Sequence, residues 1–131
     1  MIAVDTNAVV RFLVRDDNPA QSLRAAEAFH ADRVFIARTV ILETAWVLAF
    51  TFGFSRAEVV AALRLLGGLP NVEIEDASGV ARALDWALAG LDLADALHLV
   101  ATPAGAAFVT FDRALASRAA ALGAAPDVQA P

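Results

Sequence analysis

The chain has 131 residues, 59% of them apolar, no cysteine, and a net charge of −5 at neutral pH. A length of this order makes one domain, and the missing thiols exclude disulfides, zinc–thiolate centres and cysteine nucleophiles. All 10 cations are arginine, so the lysine of a P-loop, a Schiff base or a receiver-type phosphorylation pocket is excluded as well.

The apolar share exceeds the roughly 45–50% of an ordinary soluble domain. Much of the excess is alanine, which suits closely packed helices, and part of it implies a surface that another chain covers. The opening Met1-Ile2-Ala3-Val4-Asp5 lacks a basic region and meets a charge at once, so no signal peptide is expected. The apolar run at 45–54 is too short and broken to cross a bilayer. A cytoplasmic protein with no membrane partner is the expectation. The acidic balance argues against a nucleic-acid partner unless the acids gather and hold cations that meet the phosphates.

In chain order, residues 2–5 read as a buried strand ending in an acid, and 6–14 as a helix with apolar residues at helical spacing. Asp16-Asp17-Asn18-Pro19 is a turn in which Asn18 caps and Pro19 opens a helix running to residue 31. Residues 34–37 are a second buried strand, after which Thr39 is placed to cap a long helix over 40–52. Ser55-Arg56-Ala57-Glu58 is a capping box for a helix to residue 66, ended by Gly67-Gly68. Residues 72–75 alternate apolar with acidic and predict a half-exposed strand. Helices follow over 78–89 and 93–101, separated by Gly90, then a strand at 107–110 and a helix at 113–122. Residues 126–131 read as a frayed tail, within a short C-terminal tail from about 124. Strands alternating with helices imply a mainly parallel sheet with helices on both faces, an α/β sandwich. With no composition break, repeat or linker, the expectation is a single domain over 1–131.

Ligands of such folds sit beyond the carboxyl ends of the strands, and four acids fall there. Asp5 ends the first strand, Glu43 lies on the first turn of the helix after the second, Asp95 on the first turn of the helix from 93, and Asp112 just past the fourth strand. Glu43 is surrounded in sequence by Val40, Ile41, Leu42, Ala45, Trp46, Val47 and Leu48. A carboxylate buried among them is costly unless paired or metal-bound. The competing reading is that it reaches solvent or complements the helix dipole. Asp5 and Asp112 could equally cap the helices that follow them, which need not exclude metal binding. Asp92 reads as the cap of the helix from 93, leaving Asp95 to face inward. His98, three residues after Asp95, is at ligand spacing, although a histidine on an apolar helix is more often a core residue; His30 reads as an ordinary helix residue. Mg²⁺ or Mn²⁺ takes oxygen ligands of this kind, and a pair of such ions can activate water at a phosphodiester and stabilise the departing oxygen.

Ile2-Ala3-Val4-Asp5-Thr6-Asn7 resembles the opening strand and Asp-Thr-Asn motif of PIN-domain nucleases. The segment from Thr39 through Glu43 to Leu48 resembles their second motif, Leu91-Asp92-Leu93-Ala94-Asp95-Ala96-Leu97-His98-Leu99 their third, and Phe108-Val109-Thr110-Phe111-Asp112 their fourth. The motifs stand in family order and span nearly the whole chain. The resemblance implies that Asp5, Glu43, Asp95 and Asp112 are catalytic and metal-binding, with Thr6, Asn7, Asp92 and Thr110 in support. The size is similar to VapC-type toxins of toxin–antitoxin pairs. That implies a Mg²⁺- or Mn²⁺-dependent endoribonuclease acting on RNA, a homodimer, and a cognate antitoxin. RNA contacts would fall to arginines such as Arg11, Arg38 and Arg113.

The alternatives are a PIN-fold nuclease with another RNA or DNA maturation role, a catalytically silent interaction module, and a haloacid-dehalogenase-type phosphatase. The last requires a second aspartate two residues after the first and a lysine; Asn7 occupies that place and lysine is absent.

Overall fold

The computed structural model describes residues 1–15 and 18–131, so Asp16 and Asp17 of the expected turn lie outside the described residues. The chain divides into two compact units, Met1–Ala77 and Ser78–Pro131.

In the first unit, strands β1 (Ile2–Ala3), β2 (Val34–Ile36) and β3 (Val72–Ile74) pair in parallel in the order β1-β2-β3. Parallel neighbours need long crossovers. Each crossover here is a pair of helices, first α1 (Thr6–Leu13) and α2 (Pro19–Ala31), then α3 (Arg38–Phe50) and α4 (Arg56–Gly67). Both step the same way across the sheet, so right-handed connections put both pairs on one face of it. The central strand buries Val34 and Ile36 completely. Ile41, Thr44, Ala45 and Leu48 recur at helical spacing and give α3 one buried face. Phe12 of α1 stacks on Phe29 of α2 with ring centroids 4.2 Å apart. Gly67 of α4 lies close to β3, where a Cβ would meet the tip of the Ile74 side chain, Cδ1, at a tight 3.0 Å. The Asn71 amide donates to the carbonyls of Phe29 and Asp32, fastening the start of β3 to the turn before β2.

Local hydrogen bonds start most of these helices where the sequence predicts. Asn18 Oδ1 accepts from the Gln21 amide at 3.1 Å with Pro19 following it. The Ser55–Glu58 capping box forms reciprocally at 3.1 and 3.0 Å. Helix α3 departs from expectation. It begins at Arg38, and its N-cap Ala37 supplies no side-chain bond. Thr39 is already helical. The Arg38 amide instead donates to Glu75 Oε1 at 2.9 Å, so the cap comes from beyond β3.

The second unit contains α5 (Ala77–Leu88, whose first residue closes the first unit), α6 (Leu93–Ala101), β4 (Phe108–Val109), α7 (Arg113–Ala121) and β5 (Val128–Gln129). Gly90 turns the chain between α5 and α6 at φ +120°, a conformation that L side chains rarely adopt. The expected frayed tail is a strand. Phe108 and Thr110 donate their amides to the carbonyls of Asp127 and Gln129, both at 2.9 Å, and β5 runs parallel to β4. Two strand residues between prolines carry no readable periodicity, yet the carbonyls of Asp127 and Gln129 satisfy the amides of Phe108 and Thr110, which would otherwise need water.

Deleting residues 127–131 removes both bonds. At a net contribution of about 1 kcal/mol each, the melting temperature followed by circular dichroism is expected to fall by about 4–8 °C. An unchanged value would mean that the segment frays.

Candidate functional site

In the first unit the carboxyl ends of the parallel strands carry Asp5 past β1, Arg38 past β2, and Glu75 and Asp76 past β3. Asp5 is the N-cap of α1, its Oδ1 accepting from the Ala8 amide at 3.0 Å. The capping role weighed from sequence is therefore real, and it occupies one of two carboxylate oxygens. Thr6 is buried behind it, while Asn7 is exposed on the first turn.

Glu43 requires a correction. Because α3 starts at Arg38, Glu43 lies on its second turn, and it is exposed. Its apolar sequence neighbours Ile41, Ala45 and Leu48 occupy the buried face, whereas Thr39, Glu43, Trp46 and Phe50 share the exposed one. Exposed in this way, Glu43 does not bear the cost of a buried carboxylate. Trp46 and Phe50 are 59% and 74% exposed, with ring centroids 5.0 Å apart.

Sequence reasoning passed over Glu75 and Asp76. The Arg38 guanidinium lies 3.8 Å from Glu75 Oε2 and 3.6 Å from Asp76 Oδ2. Arg38, expected to contact RNA, is held by these acids. Asp76 sits at φ +52°, the left-handed region that aspartate tolerates better than most residues. The signal was present, since Glu75 ends β3 much as Asp5 follows β1.

In the second unit Asp92 caps α6 as expected, Oδ1 accepting from the Asp95 amide at 3.2 Å. Asp112 is the N-cap of α7, accepting from the Leu115 amide at 3.0 Å. Thr110 Oγ1 accepts from the Asp112 amide at 3.0 Å, which gives Thr110 a supporting contact. Asp95 is half-buried on the first turn of α6. Partial burial, then the charges of Asp92 and Asp112, push its carboxyl above the ordinary range, and His98 offsets part of this. His98 is exposed, which overturns the core reading. His30 packs edge-on against Phe12.

All these acidic donors are carboxylate oxygens, the type that hard divalent cations take. Among the described residues of each unit, no three acid or histidine side chains stand close enough to cage an ion by themselves. The carboxyl of Asp95 is raised first by partial burial and then by neighbouring charges, and a bound cation would favour its ionised form. The donor type of these acids is the one that a metal of that class takes.

The chain matches the PIN domain family model over residues 2–121. It belongs to the PIN domain family. No curated protein and no solved structure matches it. Membership gives the α/β/α sandwich class that the sequence predicts, in agreement with the parallel pairing in each unit. A PIN domain is a nuclease fold, in general metal-dependent. The matched span reaches the end of α7 and contains Asp5, Glu43, Asp95 and Asp112, while β5 of this PIN domain lies beyond it. No helix among the described residues is long and apolar enough to cross a membrane.

The raised carboxyl of Asp95 has a stability consequence. Folding disfavours its ionised form, so the contribution is favourable below the unfolded value and is lost as pH rises through the folded one. In metal-free buffer, Asp95→Asn is expected to melt at or above wild type at neutral pH. That advantage should vanish at about pH 3, below the unperturbed carboxylate value. A variant that melts lower at neutral pH would contradict this.

Proposed function

We propose that residues 1–131 act as one nuclease domain, a Mg²⁺- or Mn²⁺-dependent endoribonuclease of the toxin type in a toxin–antitoxin pair. The carboxylates that we assign to cation binding are Asp5 and Glu43 in the first unit and Asp95 and Asp112 in the second. The observation that carries the reading is the PIN-domain match over residues 2–121, a span that holds the half-buried Asp95 together with Asp5, Glu43 and Asp112.

The residues divide the work. Asp5 and Asp112 are fixed by the helices that they cap, each with one carboxylate oxygen remaining. Asp92 holds the backbone of Asp95, and Thr110 that of Asp112. Glu43, on an exposed helix face, supplies a carboxylate with little desolvation cost. When bound, the cation supplies activation of water and charge stabilisation at the departing 3′-oxygen. It also offsets the net charge of −5 toward a polyanion. His98 has no part in this reading beyond moderating the charge at Asp95.

Purified protein is expected to cut a defined single-stranded RNA, leaving a 5′-phosphate and a 3′-hydroxyl, with turnover abolished by EDTA. Asp95→Asn should lower cleavage by about 100-fold or more, since loss of even a supporting contact to a ligand costs 10–100-fold. Cleavage that survives EDTA or this substitution would overturn the mechanism. A short upstream reading frame encoding a DNA-binding head with a basic or amphipathic tail would support the toxin role.

The adjacent exposed rings of Trp46 and Phe50 support a homodimer or an antitoxin seated on α3. Sedimentation at micromolar concentration is expected to show a dimer that Trp46→Ala together with Phe50→Ala weakens. A wild-type monomer would rule the homodimer out. A dimer with no nuclease activity under any divalent metal would favour the silent interaction module.

A further inference from the structure

Phe111 stands out among the described residues. At 89% exposure it is the most exposed large apolar side chain. Val109, two residues earlier at the end of β4, is 56% exposed. A lone exposed apolar residue needs no explanation, but the frame around this one is fixed from both sides. The Thr110 amide donates to the Gln129 carbonyl at 2.9 Å, the Asp112 amide to Thr110 Oγ1 at 3.0 Å, and Asp112 Oδ1 holds the start of α7. The ring therefore projects from a bonded strand end. It also adjoins Asp112, whose charge reaches Asp95.

A flat aromatic face stacks on an unpaired base whatever its sequence. Such a contact suits an acidic protein, because it holds a nucleic acid without adding positive charge. On the other side of Asp112, exposed Arg113 begins α7 and offers a cation for a phosphate. We propose that Phe111 is a stacking platform for an unpaired base of single-stranded RNA beside the bond that is cut. This rests on the nuclease reading above and adds to it a positioning residue.

The test uses the full chain and a short RNA carrying 2-aminopurine, whose fluorescence is quenched by stacking, with Ca²⁺ replacing Mg²⁺ for the binding measurements. Wild type and Phe111→Trp are expected to quench the probe. Phe111→Ala should lose the quench, bind about 10-fold more weakly and raise KM by a similar factor, with kcat changed less than about twofold. Phe111→Leu should resemble Phe111→Ala, because leucine is apolar without a π-face. Quenching and KM at wild-type values in Phe111→Ala, or full retention by Phe111→Leu, would overturn the proposal. So would weaker binding that tracks loss of a dimer in sedimentation, since Phe111 would then be a protein contact. A Phe111-dependent quench without cleavage would uphold the platform and sink the nuclease reading. Cleavage indifferent to Phe111 would do the reverse, and a wild type that neither binds nor cuts RNA would overturn both.

Discussion

An aspartate that accepts a backbone amide at the start of a helix is tied to that helix by one oxygen and keeps the other. Asp5, Asp92 and Asp112 are all held this way. The bond satisfies an orphan donor, and the positive end of the helix dipole favours the negative charge. The same bond fixes the carboxylate in space at no further cost in rotamer entropy. Capping and ligation, which compete in a reading of the sequence, are compatible here because a carboxylate has more acceptor capacity than one amide uses. Asp95 completes the pattern by contrast. Its backbone is held by Asp92, while partial burial and then neighbouring charges raise its own carboxyl.

Beyond the caps, the rim of the first unit is organised by a contact between distant parts of the chain. Glu75 accepts the Arg38 amide, and with Asp76 it faces the guanidinium. This joins the carboxyl ends of β2 and β3 through side chains where their ladder stops. Pairs this exposed contribute little to stability as Coulomb interactions. Their weight lies in the amide bond, which stands in for the cap that Ala37 cannot provide.

Helix α3 shows where reasoning from composition misleads. Nearly every residue around Glu43 is apolar, which reads as burial on all sides. The structure buries one stripe and leaves Trp46 and Phe50 facing out beside Glu43. When both faces of a helix are apolar, its periodicity no longer reports which one the core takes. The excess of apolar residues over an ordinary domain, noted from the sequence, lies partly in such exposed stripes.

The sequence by itself determined what short-range bonds decide. The starts of α1, α2, α4, α6 and α7 each rest on a side chain bonding an amide three residues on, and residue identity alone suffices to read them. The strands at 34–36, 72–74 and 108–109 were legible as apolar or alternating runs. Tertiary structure alone decided the rest. It fixed the cap of α3 by a residue 37 positions away, the exposure of Glu43 and His98, and the pairing of Val128 and Gln129 with β4. Each of these depends on a partner remote in sequence, and a local pattern holds no record of which remote group the folded chain brings to it.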